Sequence, residues 1–247
     1  MEYFTGQEIK NNREKLKNEM GDYVGRNLQN LFAAHIVAKY HDKFFKDRSQ
    51  TKVVDYGVAG GVFAKQLQEL GFRNISGLDI DDYLAEENKK YVKEFKLADL
   101  SYNSIPWPDN SFDMATAWCV LPHLENPYFC IRETFRILKP GGLFILSVPH
   151  LLSRASINFF LRHGDFARYY PGKNHISVFT PGVFQNAVSK YFKKVNMEYL
   201  IDPRSLSGLR GFIRKRILSL SVHWPKLRNY FEKIWGYNQI WILRKGE

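Results

Sequence analysis

At 247 residues, with 45% hydrophobic and 25% charged residues, the chain has the composition of a globular protein with one substantial core. Its formal net charge is +11, yet no apolar run approaches the roughly 20 residues of a membrane-spanning helix. The first residues lack a basic region followed by a hydrophobic one, and Cys119 and Cys130 offer neither a disulfide framework nor metal-ligand spacing. A secreted, disulfide-stapled or metal-centred protein is therefore not expected, and the expected compartment is the cytoplasm.

The charge is unevenly spread. Residues 51–150 carry a slight acidic excess, whereas residues 151–247 hold seventeen Lys and Arg against five Asp and Glu. A basic surface of that kind attracts phosphates, nucleic acid or an anionic membrane, unless it is simply a solvated face.

In chain order, Thr5-Gly-Gln-Glu8 has capping-box spacing. Helices are expected from there to about Phe45, broken near Gly21 or Gly25, with Leu28, Leu31, Phe32, Ile36 and Val37 as the buried stripe. Strands are expected at Lys52–Tyr56, Ile75–Asp79, Phe95–Leu100 and Phe112–Val120. A helix over Pro127–Leu138 follows, then the Lys139-Pro-Gly-Gly142 turn and a fifth strand, Leu143–Val148. After His150 the rhythm changes to an aromatic and basic segment from Leu151 to His175. A helix over Pro181–Tyr191, a strand near Lys194–Leu200, a basic helical stretch over Ser205–Ile234 and a final strand, Asn238–Arg244, complete the reading.

Alternating strands and helices with short connections predict an α/β fold: a seven-stranded, mostly parallel sheet covered by helices on both faces. An N-terminal helical extension precedes it, and a basic helical insertion precedes the last strand. The expected organisation is a single domain over 1–247, with N-terminal helices at 1–48, a cofactor-binding core at 49–150 and an acceptor-side basic region at 151–247.

The stretch Lys52–Gly71 passes from an apolar strand ending near Asp55, through Gly57, Gly60 and Gly61, into a helical pattern at Phe63, Leu67 and Leu70. A strand, a glycine turn and a helix allow backbone to approach a bound nucleotide closely, and an acid ending the next strand, Asp79, stands where a ribose diol would lie.

These motifs resemble the class I S-adenosylmethionine-dependent methyltransferases, and more narrowly their bacterial small-molecule group. The resemblance rests on Asp55-Tyr-Gly57-Val-Ala59-Gly60-Gly61, Asp79, Ala98-Asp99-Leu100, Phe112–Leu124 and Arg136-Ile-Leu-Lys-Pro-Gly-Gly142, in family order over residues 50–150. It implies a Rossmann-like fold and S-adenosyl-L-methionine as cofactor. Asp55, Gly57, Ala59, Gly60, Gly61, Asp79, Ile80, Asp99, Leu100 and Trp118 would form its site. Asp79 would take the ribose hydroxyls and Asp99 the adenine amino group; Ile80 would pack on the adenine, and Leu100 would offer its backbone N–H. Ala59 departs from the family's central glycine, a small intrusion if the backbone there avoids positive φ.

For the acceptor, His175 stands in Asn174-His-Ile-Ser-Val-Phe-Thr-Pro181, which looks like a segment found after strand five in relatives acting on small molecules. His175, then His150, then His123 are the candidate bases for a hydroxyl proton. No Asn-Pro-Pro-Tyr signature follows strand four, so the resemblance favours O-methylation of a small-molecule, glycan or lipid-linked hydroxyl over RNA methylation. A non-catalytic S-adenosylmethionine-binding protein is the remaining alternative.

The stretch Leu209–Leu220 places Leu209, Phe212, Ile213, Ile217 and Leu220 at helical spacing among Arg210, Arg214, Lys215 and Arg216. It reads either as a stripe capping the acceptor pocket or as a peripheral helix on anionic lipid. A phosphorylated or lipid-linked acceptor would suit both.

Overall fold

A computed structural model of the chain describes residues 24–169 and 174–246. The capping box at Thr5–Glu8 and the break near Gly21 lie outside these residues.

Helix α1 (Val24–Phe44) runs through Gly25 without a break. Its buried stripe is shifted from the expected one. Leu31 and Phe32 face solvent, while Ala33, Ala34, Ile36, Val37, Tyr40 and His41 are buried. The small Ala33 and Ala34 allow close approach to the sheet cover, and His41 Nε2 lies 2.8 Å from Thr51 Oγ1 at the entry to β1 (Lys52–Tyr56).

The next elements are α2 (Val62–Glu69), β2 (Asn74–Asp79), β3 (Glu94–Leu97) and β4 (Phe112–Trp118). Strand β3 ends two residues before Asp99 instead of containing it. Helix α3 (Pro127–Ile137) starts where the Asn126 side chain accepts the Phe129 N–H at 3.1 Å and Pro127 occupies the first turn. Strand β5 (Leu138–Pro149) takes in the Lys139–Gly142 turn at its start, with a register irregularity against β4 between Phe112 and Met114.

Beyond β5, α4 (Arg154–His163) occupies part of the aromatic and basic segment that the pattern left unassigned, capped by Ser153, which accepts the Ser156 N–H. Helix α5 (Pro181–Val188), β6 (Phe192–Ile201), α6 (Gly208–Leu220), α7 (Pro225–Trp235) and β7 (Gly236–Lys245) complete the order. The basic stretch is thus two helices separated by a short 3₁₀ turn at Ser221–His223.

The sheet order is β3-β2-β1-β4-β5-β7-β6. All pairs are parallel except those of β7, which runs antiparallel to β5 and to β6. Side chains on both faces are buried: Val54, Leu78, Ala115, Phe144 and Trp241 pack with α3 and α5 on one face, and Val53, Ile75, Met114, Ile145 and Ile242 pack with α1 and α2 on the other. Two-sided burial explains why the central strands are nearly continuous apolar runs. Strand order reverses between β1 and β4, so a crevice opens at the carboxyl ends of these strands. Because β7 is antiparallel, its first residue, Gly236, lies at that same edge beside the end of β6.

Candidate active site

Gly57–Gly61 leaves β1 at this edge and turns into α2. Gly57 and Gly61 have φ of +66° and +79°, conformations in which a side chain is strained. There is also no room for one: a Cβ on Gly61 would lie 2.6 Å from Leu84 Cδ1 and 2.9 Å from Asn88 Cβ. Asn88, itself buried, donates from Nδ2 to Gly60 O at 2.6 Å, which fixes the far side of the loop. A Cβ on Gly60 would meet nothing within 4 Å, so this part of the turn presents bare backbone to open space.

Asp79, 3% exposed at the end of β2, binds the loop from the sheet side. It accepts the Ala59 N–H at Oδ2 (2.9 Å) and the Ile80 N–H at Oδ1 (2.8 Å). Ala59 sits at φ +47°, so the condition under which alanine would be a harmless replacement for glycine is not met. An L-residue held in this left-handed region costs on the order of 1–2 kcal/mol, and the charged acceptor at Asp79 offsets that cost.

Asp55 is placed differently. It is fully buried beneath the loop and accepts the Thr116 Oγ1 hydrogen at 2.7 Å. Burial pushes its carboxyl up to about 8, with the nearby Asp79 charge adding to the effect and Thr116 opposing it.

Asp99 follows β3 in a turn where its carboxylate accepts the Ser101 N–H at 2.8 Å and its carbonyl accepts the Asn103 N–H at 2.8 Å. Leu100 turns its side chain into the core, whereas Ile80 remains half-buried at the crevice. Trp118, at the end of β4, packs edge-on against Phe63 with ring centroids 5.6 Å apart. Its indole Nε1–H is buried and has no hydrogen-bond partner among the described residues. A buried donor without an acceptor is costly, and here it lies in the strand that borders the crevice.

The histidines separate. His175 and His123 come together at the end of β4, with ring centroids 4.5 Å apart, and Tyr169 lies 5.1 Å from His175. The strap carrying His175 is tied down by the Ile176 and Ser177 N–H groups, which donate to Pro122 O at 2.8 and 3.0 Å. His123 Nδ1 lies 2.9 Å from Asn174 O.

His150, by contrast, is 1% exposed. Its Nε2 donates to Lys233 O of α7 at 2.9 Å and its ring rests on Tyr199 of β6. The carbonyl fixes the tautomer, burial lowers the pKa, and the ring fastens the end of β5 to α7. That position serves packing better than the acceptor role given to it by its place after strand five.

The sequence reading missed three residues of this edge. Tyr169 and Arg168 lie in the segment without regular pattern, and Asn238 lies in β7. Asn238 donates to Cys119 Sγ (3.4 Å) and accepts from Arg168 (2.8 Å), which links the end of β4 to the C-terminal region. Only the clustering of aromatic and basic residues at Phe166–Tyr170 could have drawn attention there.

A backbone cradle, an acid under it, an apolar side chain beside it and an orphan indole donor fit a nucleoside cofactor. A family described as "Methyltransferase domain" matches residues 54–146, the segment that builds this edge. A ubiquinone biosynthesis O-methyltransferase from Neisseria meningitidis is 22% identical over 130 residues, which cover 50% of this chain and 55% of that protein. A sterol 24-C-methyltransferase from Aspergillus fumigatus is 31% identical over 99 residues, covering 38% of this chain and 26% of that one. The chain thus spans about half or less of the length of these curated relatives. In fold it is similar to an S-adenosylmethionine-dependent methyltransferase from Thermotoga maritima, with a TM-score of 0.61, 19% identity and coverage of 95% and 99% of the two chains. The motif series, the doubly wound sheet with its antiparallel β7 and these matches agree: residues 54–146 match a methyltransferase domain, and the chain has the fold of the S-adenosylmethionine-dependent methyltransferases.

Proposed function

We propose that this protein transfers a methyl group from S-adenosylmethionine to a hydroxyl of a small-molecule, glycan or lipid-linked acceptor. The observation that carries the reading is the loop 57–61, held in left-handed backbone by a buried acid at the reversal point of the sheet. When bound, the cofactor supplies an electrophilic methyl on a sulfonium and leaves as a neutral thioether.

Each residue then has a task. Gly57, Gly60 and Gly61 give the close backbone approach, with Ala59 held between them and Asp55 supporting the loop from beneath. Asp79 is the acceptor for ribose hydroxyls, Ile80 the apolar wall, Asp99 and the Leu100 N–H the polar pair for the adenine edge, and Trp118 an indole donor. His175, half-buried beside His123 and Tyr169, takes the hydroxyl proton as the oxygen–methyl bond forms. His150, buried against Tyr199 with Nε2 donating to Lys233 O, holds α7 to the end of β5 instead.

Acceptor alignment contributes more than the base, because displacement at a methyl carbon needs an in-line approach. The relatives support this chemistry in part, since one is named for O-methylation and another for C-methylation. No helix among the described residues is long and apolar enough to cross a membrane, so a lipid-linked acceptor would be met at a surface.

The test has two arms. The protein should bind S-adenosylhomocysteine, and Asp79→Ala should abolish binding. With labelled cofactor and a small-molecule extract, the labelled product should be a methyl ether that survives base, and His175→Gln should cut its formation by roughly 10²-fold while sparing cofactor binding. Full activity in His175→Gln would remove the assigned base, and label found on RNA would replace the acceptor class.

A further inference from the structure

A second cavity, of about 710 Å³, lies at the same sheet edge but beyond β5, between α4, α6, α7 and the start of β7. Arg154, Arg168, Arg210 and Arg214 all line it, and Asp202 is the one acidic residue in its wall. Guanidinium groups stay protonated at any pH of interest, so the wall carries an excess of three positive charges. Trp235 and Tyr237 form apolar walls between the arginines.

We propose that this cavity binds the phosphate or diphosphate group of the methyl acceptor. The inference rests on the methyl-transfer reading and names the chemical class of its acceptor.

Two of the arginines are already oriented by the fold. Arg168 donates to Asn238 Oδ1 (2.8 Å) and Tyr237 O (3.2 Å), with its guanidinium 4.1 Å from the Tyr237 ring centroid. Arg214 donates to Ser205 O (2.9 Å) and lies 5.7 Å from the Trp235 ring centroid. A guanidinium has five N–H donors, so one or two such bonds fix its plane without using its capacity. Arg154 and Arg210 make no ion pair among the described residues.

The amino end of α4 adds to the field, since Ser153, Arg154 and Ser156 all face the cavity. Three excess positive charges exceed what a single carboxylate neutralises, whereas a phosphate monoester or diphosphate matches them and suits the planar guanidinium fork.

Position argues for the acceptor rather than an unrelated ligand. Gly236 and Tyr237, which open β7, line the cavity, and β7 is three strands from β1 in the order β1-β4-β5-β7. At a strand spacing of ~4.8 Å the cavity centre is roughly 14 Å from the cofactor loop along one continuous edge. A ligand anchored there reaches the His175 cluster with a hydroxyl on the order of 10 Å from its phosphate. The Arg168–Asn238–Cys119 chain of hydrogen bonds runs along this path.

The experiment titrates sodium pyrophosphate into the full chain and into Arg154→Gln/Arg210→Gln, following tryptophan fluorescence, because Trp235 lines the cavity. Wild type should bind saturably, more weakly as salt rises, and the double variant should bind at least ~10-fold more weakly. Equal affinity in both proteins, or no saturable binding by wild type, overturns the proposal. Arg154→Lys/Arg210→Lys keeps the charge but not the fork and should fall between the two; wild-type affinity in this variant would refute guanidinium recognition.

S-adenosylhomocysteine, titrated into the same proteins, should bind all of them alike. If it binds none while pyrophosphate behaves as expected, the methyl-transfer reading fails and the anion site stands. Competition by phosphatidic acid vesicles would identify a lipid headgroup as the source, and competition by glucose 1-phosphate without vesicle competition would identify a soluble phosphate ester; either result supports the site.

Discussion

The two ends of the carboxyl edge are built from different materials. At the β1–β2 end, loop 57–61 is shaped by backbone angles and by acids at full or near-full burial, with almost no long side chain involved. At the β5–β7 end the surface is made of arginines and aromatic rings on helices, and much of its apolar surface is exposed: Leu209 is 78% and Phe212 60% accessible. A backbone site has one geometry and carries it in glycine positions; a side-chain site can change its ligand with a few substitutions. The contrast suits a shared cofactor and a particular acceptor.

One pair of glycine substitutions should break the two ends apart. Gly61→Ala puts a Cβ at φ +79° against Leu84 and Asn88 and should cost roughly 2–4 kcal/mol, with loss of S-adenosylhomocysteine binding. Gly211→Ala puts a Cβ 2.1 Å from the backbone carbon of Leu206, which cannot rotate away. Its damage should be confined to α6 and its neighbours, seen as faster hydrogen exchange there, with cofactor binding retained. Loss of cofactor binding in both variants would show that the two ends are not separable.

A smaller effect isolates the buried acid. Asp55 ionises near 3.8 when unfolded and near 8 when folded, so between these values the folded state holds a proton that the unfolded state has released. Its contribution to stability is therefore fully present below about pH 4 and falls as pH rises towards 8, by up to a few kcal/mol, roughly. Asp55→Asn should flatten that part of the profile, measured as Tm between pH 5 and 8. An unchanged slope would mean that the carboxyl is ionised in its burial site. The smallest effect belongs to Ala59→Gly, which should stabilise by about 0.5–1 kcal/mol on relief of the left-handed conformation.

What the sequence disclosed divides along the same line. Gly57, Gly61, Asp79 and the strands around them were legible because each motif position encodes a backbone requirement. The φ of Ala59 was not, since only the closed loop with Asp79 beneath it forces that residue left-handed. In α1 the pattern favoured large residues at 31 and 32, whereas the packing selected Ala33 and Ala34, because close helix approach rewards small side chains as much as apolar ones.

For α6 the sequence left two orientations open. Its apolar stripe reads either as a cap over the acceptor pocket or as a peripheral face on anionic lipid. Leu209, Phe212, Ile213 and Leu220 in fact face outward, while Arg210 and Arg214 line the cavity. Periodicity marks a face but does not say which way it points, and Gly211, buried against Leu206, sets the rotation of α6. His150 was likewise placed correctly in the chain, but the burial by α7 and Tyr199 comes from elements far away in sequence.

Ile201 and Gly236 are partners on one rung of the β6–β7 ladder. Residues 202–235 therefore leave the sheet and return to it at a single point, as a closed excursion whose ends are already joined. Chain closure is only weakly sensitive to the length of such an excursion. The helices that wall the arginine cavity could be shortened, lengthened or transplanted from a relative while every strand pairing of the sheet stayed in place. A protein built this way can acquire a new acceptor by exchanging one cassette, leaving the machinery at the other end of the edge untouched.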